Sequence, residues 1–184
     1  DTGIDAAHAL FANRIAPGGI DDIDGDGDPA DVGNDLDDDG DGVTDEMVGH
    51  GTYVSGLVAL AAPDTKILPI RVLDSEGRGD SWTVLKGVYH AIDRGVEVIN
   101  MSLRSTDDSD GIEEAIKEAR ELGIIVVAAA GNRALSDPEV FPAMERIAIG
   151  VAALDDQGVK ATWSNYHDDL FLSAPGASLP LEPG

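Results

Sequence analysis

The feature that most constrains this chain is an alternation of short apolar runs with segments of helical period. Residues 66–73 (KILPIRVL), 96–101 (VEVINM), 124–129 (IIVVAA) and 147–153 (IAIGVAA) are strand-sized and almost wholly apolar. Between them, residues 52–62 place Val54, Leu57, Val58 and Ala61 on one helical face. Residues 81–94 read as a helix with Ser81 as its N-cap and Gly95 as its stop. Residues 111–122 turn Ile112, Ala115, Ile116 and Ala119 inward before Gly123. Two shorter extended pieces are expected at 161–163 and 170–174. Strands of this kind, separated by helices, predict an α/β domain with a mostly parallel sheet covered on both faces, a three-layer α/β/α arrangement. Ligands of such sheets bind beyond the carboxyl ends of the strands, so informative residues are expected just after each one.

The 184 residues, 42% of them hydrophobic, are enough for one domain over 1–184 with a sizeable core. The longest apolar run, residues 123–130, is too short to span a bilayer, and no basic-then-apolar leader opens the chain. Cysteine is absent, which excludes disulfides, thiolate metal sites and a cysteine nucleophile. A net charge of -24 disfavours nucleic acid and anionic membrane as partners and favours multivalent cations. That charge is uneven. Residues 21–46 (DDIDGDGDPADVGNDLDDDGDGVTDE) hold 12 Asp, one Glu and no Lys or Arg, which is -13 of the total. A Gly/Asp-rich insertion is therefore expected on an otherwise ordinary globular body.

Three segments carry chemistry: Asp1-Thr2-Gly3-Ile4-Asp5; Gly49-His50-Gly51-Thr52-Tyr53-Val54-Ser55-Gly56; and Ala128-Ala129-Ala130-Gly131-Asn132, directly after an apolar strand. Singly, each has an ordinary structural reading as a turn or helix boundary. The Asp-Thr-Gly triplet also occurs in aspartic proteases, which need a second copy and an all-β pattern, and neither is present here. Taken in order, with NMSL at 100–103, FPA at 141–143, SNY at 164–166 and APG at 174–176, the segments resemble the subtilisin-like serine proteases, the subtilases. The resemblance implies that Asp1 fixes the tautomer of His50 and that His50 is general base and then general acid for a serine hydroxyl. It makes Asn132 the donor to a developing oxyanion. It places Ser102, Leu103, Ala128, Ala129, Ala130 and Gly131 along an extended polypeptide substrate. Peptide-bond hydrolysis through an acyl-enzyme, a secreted or cell-surface setting and a monomeric enzyme are the corresponding expectations.

The chain departs from the family pattern in one large respect. The serine of a Gly-Thr-Ser-Met-Ala-like segment is not found: eight residues follow Gly176 and none matches. The strand that would end at the aspartate is not found before Asp1 either. The expectation is a partial catalytic domain, incomplete at both ends and inactive alone. Its rival is a non-catalytic calcium-binding module that keeps the protease fold. Smaller departures are Tyr53, where the family often has a second His, and Arg104, where Gly is common; Arg104 is expected to be a solvated surface residue. His8, His90 and His167 are expected to be structural.

The insertion has the chemistry of a hard-cation site, with oxygen ligands at short spacing and glycine at sharp turns. Asp35-x-Asp37-x-Asp39-Gly40 followed by Glu46 fits an EF-hand loop, with Gly42 at a position usually aliphatic. The overlapping frame Asp37-x-Asp39-x-Asp41-Gly42 with Asp45 fits a shorter calcium loop equally well. Upstream, Asp22, Asp24 and Asp26 with Asp28 or Asp31 form a second candidate. Calcium is the expected cofactor, and its binding is expected to stabilise the protein.

Overall fold

A computed structural model describes residues 1–105, 109–136, 140–143, 146–168 and 170–177. They divide into two units, Asp1–Val96 and Glu97–Gly184, each built on a parallel ladder of its own.

In the first unit, β1 (Ile20–Asp21) pairs in parallel with β2 (Ile70–Arg71). The ladder beside residues 66–73 is broken into pieces. Ile15 bridges Ile67, and regular pairing resumes only at Ile70, because Pro69 between them has no N–H to donate. Asp1 lies along β2: its carbonyl accepts the N–H groups of Val72 and Leu73 at 3.0 and 3.2 Å. β1 lies at the mouth of the acidic insertion, where the run of aspartates hides any strand signal. Helix α1 (His50–Ala61) does not bury the expected face. Gly51 and Ala59 are buried, whereas Leu57 is 50% and Leu60 68% exposed. The sequence HGTYVSGLVALA is apolar on nearly every side, so period alone does not select a face. Ala59 packs with Ile4 and Phe11, flanked by Leu10, Ile15 and Ile67.

Helix α2 (Ser81–Asp93) is capped by Asp80 and not by Ser81, since the Asp80 carboxylate accepts the Thr83 N–H at 2.7 Å. It buries Val84, Gly87, Val88 and Ala91 and packs against β2.

The second unit is a four-stranded parallel sheet in the order β3 (Val98–Met101), β4 (Ile125–Ala129), β5 (Ile149–Leu154), β6 (Leu172–Pro175). Helix α3 (Asp110–Glu121) lies in sequence between β3 and β4 and packs on β4. The four inward residues expected of it, Ile112, Ala115, Ile116 and Ala119, are all buried. Asp110 and Glu113 in its first turn and Arg120 in its last suit the helix dipole. The strands alternate in burial: Val126 and Ala128 are buried in β4, while Ile125 is 49% exposed and Val98 of β3 is 53% exposed. Sequence alone suggested burial of both faces. The extended piece expected at 161–163 is a turn, entered by an antiparallel bridge from Lys160 to Leu154.

Candidate active site

The first unit brings together the two motifs at its core. His50 opens α1, and its Nδ1 lies 2.8 Å from Oδ1 of Asp1. The same oxygen accepts the Thr2 N–H at 2.8 Å, which orients the carboxylate. The pair is only partly open, with 32% of the His50 side chain and 19% of that of Asp1 accessible. Gly51 explains the glycine after the histidine. A Cβ at that position would sit 2.1 Å from the Gly3 carbonyl oxygen and 3.2 Å from Oδ1 of Asp1, so any side chain would force the helix off the aspartate segment.

Two further residues hold this junction. The Thr2 hydroxyl accepts the Gly51 N–H at 3.0 Å and donates to Oδ1 of Asp31 at 3.0 Å. Oδ2 of Asp31 accepts both the N–H and the hydroxyl of Thr52, at 3.1 and 2.7 Å. Gly49, the N-cap residue of α1, offers no side chain, so Asp31 supplies the cap from a distance. Asp31 was grouped with the upstream metal candidate on spacing; the structure places it at the helix carrying His50. Burial works to raise the Asp31 pKa. It is outweighed by hydrogen bonds from the Thr52 side chain, the Gly49 and Thr52 backbones and Thr2, which hold the carboxyl below its ordinary value. Burial is also the main influence on His50 and lowers its pKa from 6.5, while Asp31 opposes it. Burial thus favours the neutral imidazole, the form a proton acceptor must take.

In the second unit, β3 and β4 run side by side with Met101 opposite Ala128, so their carboxyl ends deliver residues 102–103 and 129–131 to the same edge of the sheet. Ser102 and Leu103 are half-buried, and the Ser102 hydroxyl accepts from the Asn100 amide at 2.9 Å. Ala128 and Ala130 are 1% exposed and belong to the core; Ala129 is half-buried. Asn132 is exposed at the turn that follows.

Asn165 shapes that turn. It is fully buried, donates its amide to the Ala130 carbonyl at 2.8 Å and accepts the N–H groups of Arg133 and Leu135 at 3.0 and 3.1 Å. Its N–H reaches the Gly131 carbonyl at 2.9 Å. A Cβ on Gly131 would lie 2.7 Å from the Asn165 amide nitrogen, which accounts for glycine before Asn132. The SNY triplet marked Asn165 in the sequence, without indicating that it staples this loop. Arg104 is exposed, with its Cδ near Gly131.

The acidic residues separate into three groups. Asp37, Asp39 and Asp41 offer carboxylate oxygens all within 4.8 Å of one another, the spread expected of ligands around one ion at 2.3–2.6 Å. Asp37 accepts the N–H groups of Gly40, Asp41 and Gly42 at 2.6, 3.2 and 3.0 Å, folding the loop around its own carboxylate. Asp35 and Asp45 stand apart from this trio: Asp45 accepts the N–H groups of Asn34 and Asp35, both at 2.9 Å, and staples the loop base. Glu46 lies in the field of the trio. Asp41 first, then desolvation, then Asp39 and Glu76 push its carboxyl above the ordinary value. The upstream carboxylates are matched by basic side chains, Asp22 with Lys86 at 2.7 Å and Asp24 with Arg71 at 2.6 Å. Asp26 accepts the Asp28 N–H at 2.9 Å. Among the described residues, the trio is thus the one group of three that converges, in the shorter of the two overlapping frames.

Comparison with known proteins agrees with this geometry. The model of the Subtilase family matches residues 1–182. Thermitase of Thermoactinomyces vulgaris is 34% identical over 96% of this chain and 61% of its own length. The major intracellular serine protease of Bacillus subtilis is 31% identical over 97% of this chain and 57% of its own length. The crystal structure of a cold-adapted subtilisin-like serine proteinase superposes with a TM-score of 0.80 at 27% identity, over 96% of this chain and 61% of that one. The chain thus spans about three fifths of the length of these relatives. Motif order, an aspartate joined to the first residue of a glycine-flanked helix, and a parallel α/β fold shared with a subtilisin-like proteinase lead to one conclusion: this chain belongs to the subtilase family.

Proposed function

We propose that this chain supplies the acid–base pair and one oxyanion donor of a serine endopeptidase that cleaves polypeptides through an acyl-enzyme. The observation that carries the reading is the 2.8 Å contact between His50 Nδ1 and Asp1 Oδ1. With its proton on Nδ1 and donated to Asp1, the imidazole has Nε2 free to take a proton from a serine hydroxyl of the full-length protein. Asp1 then stabilises the imidazolium, which returns the proton to the leaving amine. Residues 102–103 and 129–131 receive the peptide in extended form, and the Asn132 amide donates to the oxyanion as it develops.

Calcium is the cofactor this reading assigns. The donors fit a hard cation, since Asp37, Asp39 and Asp41 offer only oxygen and Gly40 and Gly42 carry the turns at φ 79° and 95°. Asp22, Asp24, Asp26, Asp35 and Asp45 are not among the carboxylates that converge here. The ion supplies neutralisation of clustered carboxylates and takes no part in the acyl transfer. A secreted or cell-surface location follows from a loop suited to external calcium, although the family also includes a relative named as intracellular.

The test is casein hydrolysis by the full-length protein, with and without a serine-directed organophosphorus reagent. Hydrolysis that the reagent abolishes, and that His50→Ala removes, is the expected result. Absence of hydrolysis alongside a chelator-sensitive melting temperature would instead favour a calcium-binding module that keeps the fold.

A further inference from the structure

Cations are scarce in this chain, 12 Lys and Arg against 36 Asp and Glu, and nearly all of them are engaged. Arg71, Arg78, Lys86 and Lys117 reach carboxylates. Five more basic side chains donate to backbone carbonyls, and Arg146 is engaged as well. Among the described residues, this leaves the side chains of Arg104 and Arg133 without a hydrogen bond or an ion pair. Where carboxylates so outnumber cations, an exposed guanidinium without a partner is positive charge available to a ligand.

Both arginines belong to the edge of the second unit where β3 and β4 end. Arg104 follows Ser102 and Leu103, and Arg133 follows Asn132. Their backbones are held. Ser105, next to Arg104, exchanges N–H···O bonds with Phe141 at 3.0 and 3.1 Å. The Arg133 N–H is bound by the Asn165 side chain at 3.0 Å. The stem of Arg104 crosses from one strand end to the other, because its Cδ would lie 3.4 Å from a Cβ at Gly131, the residue before Asn132. The cation is thus carried to the turn whose Asn132 amide is assigned to the developing oxyanion, and so to the substrate residue that bears the attacked carbonyl.

We propose that Arg104 selects substrates with an acidic side chain on that residue, with Arg133 adding to the positive field at the same turn. A guanidinium takes a carboxylate through two parallel N–H···O bonds. A neutral side chain of the same shape gains neither, and a basic one is repelled. The inference rests on the reading of this edge as the peptide-binding edge of a serine endopeptidase.

Steady-state hydrolysis of tetrapeptide anilides ending in Glu, Gln or Lys, by the full-length protein, tests it. Glu and Gln share a shape, so their ratio of kcat/KM isolates the charge. Wild type is expected to favour Glu over Gln by about tenfold and to cleave Lys most slowly. Arg104→Gln should bring the Glu:Gln ratio close to one, Arg133→Gln should lower it by less, and Arg104→Glu should place Lys ahead of Glu. Equal kcat/KM for Glu and Gln in the wild type overturns the inference and leaves the endopeptidase reading standing. A Glu preference that Arg104→Gln leaves intact overturns the role of Arg104. Hydrolysis of neither the anilides nor casein overturns both the inference and the reading beneath it.

Discussion

Asp31 receives both the backbone N–H and the hydroxyl of Thr52, at 3.1 and 2.7 Å, and so joins the acidic insertion to the first turn of the helix that carries His50. The Thr52 hydroxyl in turn accepts the Asp5 N–H at 2.8 Å, which draws the aspartate segment into the same junction. One carboxylate thus ties three stretches of sequence that meet only in the fold.

Asp31→Ala removes this remote cap. The expected loss is about 1 kcal/mol, the usual cost of deleting an N-cap acceptor, seen as a lower melting temperature. Asp31 also opposes the lowering of the His50 pKa, so the variant should move the His50 titration further down. Proton NMR of the imidazole checks that direction, and an upward movement would contradict it.

The pH dependence of stability carries a defined sign at His50. Its folded pKa lies below the ordinary 6.5, chiefly through burial, so below that value the unfolded chain binds the proton more readily than the folded one. Stability should therefore rise with pH between the folded value and about 6.5 and be lost as pH falls through that window. Melting temperatures recorded from pH 5 to 7.5 should slope less steeply in His50→Gln than in wild type.

The glycine that follows His50 is a steric requirement. A methyl group at Gly51 would lie 2.1 Å from the Gly3 carbonyl oxygen, and relieving it means moving α1 away from Asp1. Gly51→Ala should cost about 1–3 kcal/mol, in the range of overpacked sites. It should also lower kcat more than it raises KM, because the Asp1–His50 contact lengthens. Thermal unfolding and steady-state kinetics report the two effects separately.

Much of this was legible in the residues. The helical period of residues 111–122 named the four side chains that α3 buries, because that segment is clearly two-faced. The same rule failed for α1, where Leu57, Val58 and Ala61 of the expected face are exposed, because a segment apolar on nearly all sides carries little directional information. Aspartate spacing could nominate two overlapping calcium frames and a separate upstream one but could not choose among them. The choice depends on partners distant in sequence: Lys86 and Arg71 take Asp22 and Asp24, and the Asn34 and Asp35 N–H groups take Asp45. Asn165 was visible as part of a triplet, but its work is done 30–35 residues away in sequence, where no local pattern reports it.

Asn165→Ala should show how far that loop depends on one amide. It leaves the Ala130 carbonyl and the Arg133 and Leu135 N–H groups without their partner. Each unsatisfied buried group costs roughly 1–3 kcal/mol. A marked fall in melting temperature is expected, together with a loss in kcat approaching the roughly 10²–10³-fold effect of deleting an oxyanion donor, the role proposed for Asn132. Unchanged kcat in a folded variant would separate Asn165 from the loop's function.

The central claim, that Asp1 and His50 serve a serine nucleophile, is tested most directly by peptide hydrolysis in the full-length protein before and after His50→Ala. Loss of the base is expected to lower kcat by about 10⁶-fold and to abolish labelling of a serine by a fluorophosphonate probe. Hydrolysis or labelling that survives His50→Ala at the wild-type rate would contradict the account.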